Sequence, residues 1–367
     1  MKMKRRRLRE LGIVVGRLPP GPHNAITDVP GVRVGYTTLC SNRGRVLRTG
    51  VTAIWPHPDI LESAIFAGLH SFNGYGEMTG SHWLAEQGLL TNPIAITSTC
   101  CVGVVRDAIC AYAVRSHARE PTLLPVVAET DDCWLSASES FPITREMVFA
   151  ALDRAAGGRI AEGNVGGGTG AICHEFKGGT GTASRVVRAG ATKRTVGALV
   201  QANFGLRGHL VIGGVPVGRA IGCNEVASAY DEPRDGGSLV VVLATDAPLL
   251  AKQCERLARR AALGMALVGS KGANGSGDIF LCFSSRNRVR PRRAVQQVEM
   301  MDPEAMNGLF EGAVEATEEA ILNALTMAET MRGRDGRIAH ALPLDRLTEV
   351  MRGALANTSP ARGSRPR

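Results

Sequence analysis

Apolar and polar positions along the chain recur at two periods, two for strands and three to four for amphipathic helices. "GVRVGYT" (31–37) alternates like a strand. Val51–Pro56, Asn92–Thr99, Thr122–Thr130, Val196–Gly205 and Ser276–Ser284 read as further strands. Leu239 to Ala244 is an unbroken apolar run, as expected of a strand covered on both faces. Helical spacing predicts a helix ending at Gly88, one carrying Val105, Ala108, Ile109 and Tyr112, and one capped by Thr144 with Val148, Ala151 and Leu152 inward. A further helix is expected from Asp246, with Pro248 in its first turn, and a long one from Asp302 and Pro303. "LPLDRLTEVMRGAL" predicts a short closing helix. The strands are not evenly interleaved with helices, which argues for sheets covered by helical layers over a doubly wound sheet. No repeat or composition break divides the chain, so residues 10–357 are expected to form one domain.

Charge changes this picture at the ends. The formal net charge is +9, but Lys2, Lys4, Arg5, Arg6, Arg7 and Arg9 crowd the start and Arg352, Arg362, Arg365 and Arg367 the end. The body between is close to neutral. Residues 1–9 and 358–367 therefore read as basic, disordered tails. With 4% aromatic residues, the near-neutral body argues against nucleic-acid binding. The basic run Arg286–Arg293 reads as a solvated loop or as a docking site for an acidic partner. Nine cysteines without CxxC spacing suit reduced thiols in the cytoplasm, and the scattered histidines offer no zinc pattern. No segment has the length of a signal peptide's apolar region or of a membrane span.

Gly163–Arg185 is dominated by glycine but lacks the Lys of a phosphate-binding loop and matches a dinucleotide fingerprint poorly. Tight turns, or backbone lining an active site, are the remaining readings.

Chemistry concentrates at "RDGGSLVVVLATDAPL" (234–249), where Ser238 stands between two glycines and the apolar run. A strand-edge serine without chemistry is the commonest case. A triad serine is disfavoured, because the GxSxG pattern is missing and no histidine is singled out as base. The third reading is an N-terminal nucleophile. Ser238 would attack the Gly237 carbonyl, and water would resolve the ester. The freed α-amine, titrating near ~7.7–8.0, would then serve as general base. Such an enzyme needs an oxyanion donor, for which Asn203 at a strand end is a candidate. It needs orienting groups, for which Ser276 and Asp278, two apart on a strand, can share a face. It also needs an anion for a substrate ammonium, for which Glu129 is a candidate. Each of these four also has an ordinary turn, cap or surface reading.

Taken together, "GVTAI", "FNGYGEMTG", "PVVAET", "GGGTGAICHEFKGGTGTASR", "VGALVQANFG", "GGSLVVVLATDAPL" and "NGSGDIF" resemble the L-aminopeptidase/D-Ala-esterase/amidase family, which includes the β-peptidyl aminopeptidases. The resemblance spans nearly the whole chain. It implies an α+β fold, a four-layer αββα sandwich similar to N-terminal nucleophile hydrolases but differently connected. It implies self-cleavage at Gly237–Ser238 into chains 1–237 and 238–367, and release of N-terminal residues from short peptides, amides or esters through an acyl-enzyme on Ser238. It also implies Asn203 as oxyanion donor, Ser276 and Asp278 as supports of the nucleophile and its amine, and Glu129 as receiver of the substrate amine. No metal or other cofactor, a homotetramer of two-chain units, a cytoplasmic location, and no membrane or nucleic-acid partner complete the expectation. An acyltransferase similar to ornithine acetyltransferase is the alternative, disfavoured because its nucleophile is typically threonine; a catalytically silent relative is the other. Two departures bear on substrate choice: Asp131 follows "AET" where the family often has a bulky residue, and "TST" (97–99) stands where an Asn-containing version is expected.

Overall fold

Two sheets lie face to face, each covered on its outer side by helices. The computed structural model describes residues 3–116, 123–190, 192–291 and 293–358. In chain order the elements begin with β1 (Arg33–Ser41), β2 (Leu47–Trp55), β3 (Ile65–Gly74), α1 (Ser81–Gln87), β4 (Leu89–Leu90) and β5 (Ile94–Ser98). Next come α2 (Val102–Arg115), β6 (Val127–Thr130), α3 (Arg145–Asp153), β7 (Ile172–Cys173), β8 (Phe176–Lys177), β9 (Gly179–Ala189), β10 (Thr192–Phe204) and α4 (Val217–Ala220). The chain continues through β11 (Gly237–Thr245), α5 (Ala251–Ala258), α6 (Ala261–Leu267), β12 (Ser276–Ser284), α7 (Asn307–Met327), β13 (Met331–Arg332), β14 (Ile338–Ala339) and α8 (Leu344–Thr358). One sheet runs β1-β2-β5-β6 and the other β4-β3-β12-β11-β10-β9.

The apolar pattern explains the layers. Val51, Ala53, Ala95 and Val127 face outward onto α2 and α3 through Val105, Ile109, Val148 and Leu152. Their alternates Ile54, Ile94, Ile96 and Ala128 face inward and meet Val240, Val242, Ile279 and Leu281 of the second sheet. Leu239, Val241, Leu243, Phe280 and Cys282 point to the far side, where Leu257, Met265, Leu309, Ala313 and Leu325 of α5, α6 and α7 cover them. The unbroken run in β11 therefore reflects burial on both faces, with each fully buried aliphatic side chain worth about 1.5–3 kcal/mol. The result is the four-layer αββα architecture expected above.

Helix ends follow local chemistry. Thr144 caps α3 by accepting from the Met147 N–H. Gly88, at φ 65°, closes α1. The helix expected from Asp246 starts instead at Ala251. Residues 245–249 form a bracket, in which the Ala247 N–H bonds Thr245 Oγ1 and the Ala247 carbonyl accepts from Ser284 Oγ. These bonds to side chains compete with helical ones. The strand expected from Thr122 runs over Val127–Thr130, and Thr122 lies outside the described residues.

The expectation of a disordered tail at residues 1–9 is corrected for residues 3–9. Leu8 is fully buried in a 3₁₀ turn, Leu8–Leu11, and its N–H reaches Asn323 Oδ1. Arg7 meets Glu162 at 2.7 Å, Arg9 meets Glu319 at 2.8 Å, and Arg5 bonds the Leu325 and Leu342 carbonyls. The basic run is retained because buried carboxylates need cations. Residues 359–367 of the second basic end lie outside the described residues.

Candidate active site

Ser238 stands second in β11, at 2% exposure. It is opposite Asn203 on antiparallel β10 and opposite Gly277 on parallel β12. Directly opposed residues send side chains to the same face. The Ser238 hydroxyl and the Asn203 amide therefore share the face toward the first sheet. Gly237, before the serine, has φ +118°. A Cβ there would lie 2.0 Å from the Asn203 carbonyl oxygen, so only glycine fits. Asp131, Trp134, Ile172, Asn203, Tyr230 and Gly237 are among the residues around a cavity of about 20 Å³. That is room for a water and not for a peptide.

Two backbone groups fix the Asn203 amide. Its Oδ1 accepts from the Ile172 N–H at 2.8 Å, and its Nδ2 donates to the Asp131 carbonyl at 2.9 Å. One partner is only a donor and the other only an acceptor, so the amide has one orientation. Its second N–H remains to be directed at an oxyanion. Ile172 opens the β7–β8 hairpin, whose tight turn places His174 and Glu175 at φ 47° and 60°. Neither is the glycine or asparagine that such a turn favours, so each stores about 1–3 kcal/mol of strain. Buried Arg207 holds the turn: Nε bonds the His174 carbonyl, one terminal nitrogen bonds the Glu175 carbonyl, and the guanidinium lies 3.4 Å from the Phe176 ring centroid.

Ser276 and Asp278 flank Gly277, so they project to the opposite face from the Ser238 hydroxyl. They lie level with the Gly237–Ser238–Leu239 backbone and are bonded together, Ser276 Oγ donating to Asp278 Oδ1 at 2.8 Å. Asp278 Oδ2 is buried without a hydrogen-bond partner. Burial pushes the Asp278 carboxyl up to about 6, against the opposing pull of the Ser276 hydroxyl and the Leu239 N–H. The pair is thus placed for the backbone nitrogen of Ser238, not for its hydroxyl.

Glu129 is next to last in β6 and is 6% exposed. Its carboxylate accepts from the Glu77 N–H and the Thr99 hydroxyl. Burial, followed by the charges of Asp131 and Glu77, raises its pKa, and the two hydrogen bonds only partly offset this. A Cβ on Gly76 would lie 3.1 Å from Glu129 Oε1 and 3.3 Å from Gly277 Cα. One glycine backbone therefore separates the Glu129 carboxylate from the strand position opposite Ser238. The "TST" departure bears directly on the site, since its Thr99 holds Glu129. Asp131 is exposed and accepts from the Cys133 N–H. Its neighbour Asp132 is buried and accepts from Ser98 and Ser138. The fold thus gathers Ser238, Asn203, Ser276, Asp278 and Glu129 at one end of the sandwich. Sequence reasoning missed Ile172 and Arg207, whose partners Asn203, His174 and Glu175 are distant along the chain, and Lys177, whose partners are near; the lone lysine between Phe176 and a glycine pair was the available signal.

Comparison with known proteins gives a concordant result. The model for peptidase family S58 matches residues 24–339. The β-peptidyl aminopeptidase BapA of Sphingosinicella microcystinivorans is 44% identical over 365 residues, covering 94% of this chain and 92% of that protein. The solved β-aminopeptidase of a Burkholderia species superposes with a TM-score of 0.89 at 45% identity, over 98% of this chain and 100% of that one. The L-aminopeptidase D-Ala-esterase/amidase of Ochrobactrum anthropi, described as a prototype of the serine aminopeptidases and a variant of the Ntn-hydrolase fold, superposes with a TM-score of 0.88 at 43% identity. It covers 95% of this chain and 98% of its own.

Proposed function

Because the chain belongs to peptidase family S58 and is a serine aminopeptidase hydrolysing N-terminal residues, we propose that Ser238 is its self-generated N-terminal nucleophile. In the uncleaved chain Ser238 Oγ attacks the Gly237 carbonyl carbon. The C–N bond breaks, the nitrogen takes the proton, and an ester joins Gly237 to Ser238. Water hydrolyses it, leaving chains 1–237 and 238–367. Positive φ at Gly237 supports this reading, since the scissile residue sits in a conformation other residues avoid.

The freed α-amine lies on the backbone beside Asp278, whose unpartnered Oδ2 suits an ammonium. Ser276 fixes the carboxylate. As neutral amine it takes the Ser238 hydroxyl proton while Oγ attacks the substrate carbonyl. Asn203 Nδ2 donates to the oxyanion, the amine returns the proton to the leaving group, and water then hydrolyses the acyl-enzyme. Glu129 receives the substrate's free ammonium, which requires a peptide, amide or ester with an unblocked N-terminus. β-Amino-acid residues are included among the substrates by likeness to the β-peptidyl aminopeptidases.

The observation that carries the proposal is the opposed pair Ser238 and Asn203, with Asp278 behind the same backbone. Intact mass under denaturing conditions tests it. The wild type is expected as chains 1–237 and 238–367 and Ser238→Ala as one uncleaved chain; a wild type that stays whole overturns it. Among the described residues no helix is long and apolar enough to cross a membrane. Nine free thiols suit a cytoplasmic location, and a tetramer of two-chain units is the expected assembly, read by light scattering.

A further inference from the structure

Lys177 is fully buried, and among the described residues no carboxylate lies within ion-pair distance of its Nζ. Nζ donates instead to two carbonyls, Ala171 and Gly178, each at 2.8 Å. The Ala171 carbonyl and the Ile172 N–H belong to one peptide unit. That N–H bonds Asn203 Oδ1 at 2.8 Å. A continuous chain of bonds thus runs from the lysine, across one peptide and through one amide, to the cavity beside the Gly237–Ser238 bond. Hydrogen bonds in such a chain polarise one another in a low-dielectric interior. Donation to the Ala171 oxygen draws electron density toward it and makes the Ile172 N–H a stronger donor. Asn203 Oδ1 is drawn in turn, and its Nδ2 becomes a stronger donor.

We propose that Lys177 is a positioning residue for the reaction, holding and polarising the Ala171–Ile172 peptide so that Asn203 presents a strengthened N–H to the oxyanion. The inference rests on the reading of Asn203 as the oxyanion donor. Two features of the hairpin support it. The pairing of Ile172 with Lys177 sets the start of the relay and its peptide in one ladder. The strained His174–Glu175 turn is clamped by Arg207, so the ladder has no freedom to slip. A buried lysine with carbonyl partners only is expensive as a structural device. Methionine would fill the same space without that cost. Burial pushes the Lys177 ammonium down to about 7, and the more distant charges of Cys40, Asp132 and Cys173 pull it only partly back; the bonds its Nζ makes are those to the two carbonyls.

A double-mutant cycle of Lys177→Met and Asn203→Ala tests the relay. The rate of self-cleavage is read by intact mass, and kcat and KM on an amino-acid p-nitroanilide are normalised to the cleaved fraction. Lys177→Met is expected to lower kcat and the self-cleavage rate by about tenfold with KM unchanged. Asn203→Ala is expected to lower them by about 10²–10³-fold. The double variant is expected to be no slower than Asn203→Ala alone, because the relay ends at that amide. A factor of ten that persists in the Asn203→Ala background overturns the relay and leaves the oxyanion reading standing. An Asn203→Ala variant of unchanged rate overturns the oxyanion reading and the relay with it. If Lys177→Met does not fold, Lys177→Gln, which keeps an N–H donor without a charge, replaces it in the same cycle. It is expected to lose less than tenfold, again with no added loss in the Asn203→Ala background; additive loss there sinks the relay equally.

Discussion

On the helical side of β9, Arg185 is wholly buried and closed on two carboxylates, Glu315 at 2.8 Å and Glu319 at 2.7 Å, and Arg9 completes Glu319 from the chain's start. Around the start of β11, Asp278, Glu129 and Lys177 are comparably buried, and among the described residues none has an opposite charge within ion-pair distance. The first region spends its charges on one another and binds the N-terminal segment to α7. The second leaves its charges unpaired, and under the proposed function Asp278 awaits the α-amine that cleavage creates and Glu129 a substrate ammonium. Where a fold keeps a desolvated charge without a partner, the partner is to be sought among products and substrates.

The comparison breaks most visibly at Arg185. Arg185→Met leaves Glu315 and Glu319 buried with one cation fewer, and a loss of about 3–5 kcal/mol in unfolding free energy is expected by denaturant titration. Asp278→Asn is expected to do the opposite. Because the folded-state pKa of Asp278 is raised to about 6 in the uncleaved chain, the carboxylate opposes folding at pH 8, and in the uncleaved Ser238→Ala background the amide is expected to gain about 1–3 kcal/mol there. With Ser238 intact, Asp278→Asn is expected to slow self-cleavage and turnover about 10²-fold or more. A thermal scan of the uncleaved Ser238→Ala chain against pH carries the sign. The stability that Asp278 contributes is full below its unfolded pKa of about 3.9 and is lost as pH rises through about 6. Self-cleavage runs the other way and falls as pH drops through about 6. A variant in which stability and cleavage fall together would show that Asp278 is a structural charge like Glu319.

The paired region was the less legible of the two. Charge clustering at residues 1–9 suggested a solvated tail, because nothing local shows that Glu162 and Glu319, far along the chain, are buried and need those arginines. The sequence gives no reading of β3, and the glycine-rich start of β9 reads as tight turns or as backbone lining an active site, since glycine lowers strand propensity. In β9, Gly181 is there because a Cβ would strike the Ala320 carbonyl of α7 at 2.0 Å, a constraint set by packing. The active end was legible where chemistry sits next to its mount: an apolar run doubly buried, a glycine before a serine, an asparagine ending a strand. It was not legible that Ser276 and Asp278 lie on the backbone side of Ser238, which follows only from register, or that the Asn203 amide is fixed by a hairpin peptide.

Glu129→Gln sharpens the comparison at the substrate's side. The Glu77 N–H keeps its acceptor in the amide oxygen, and the Thr99 hydroxyl can turn to accept from the amide nitrogen, so the fold has little to lose. The substrate ammonium loses its counter-charge. KM is expected to rise about 30-fold or more, by the cost of leaving one member of a buried pair alone, with a smaller change in kcat. Steady-state kinetics on an amino-acid amide read the split; a fall in kcat at constant KM would move Glu129 from binding to chemistry.

Asp131 is the mildest probe, because its carboxylate is exposed where that of Glu129 is buried. Asn at this position can still accept from the Cys133 N–H, and the backbone carbonyl still accepts from Asn203, so Asp131→Asn removes charge and little else. Water screens an exposed charge, and at physiological salt the Debye length is about 8 Å. The expected effect is therefore a rise of about two- to threefold in KM at low ionic strength, shrinking toward none as salt is added, with kcat and self-cleavage unchanged. Wild-type KM is expected to climb with salt until the two curves meet. If Asp131→Asn instead slows self-cleavage at every ionic strength, the side chain is helping to hold the carbonyl that aims Asn203. The division between waiting charges and structural ones would then run through this residue rather than beside it.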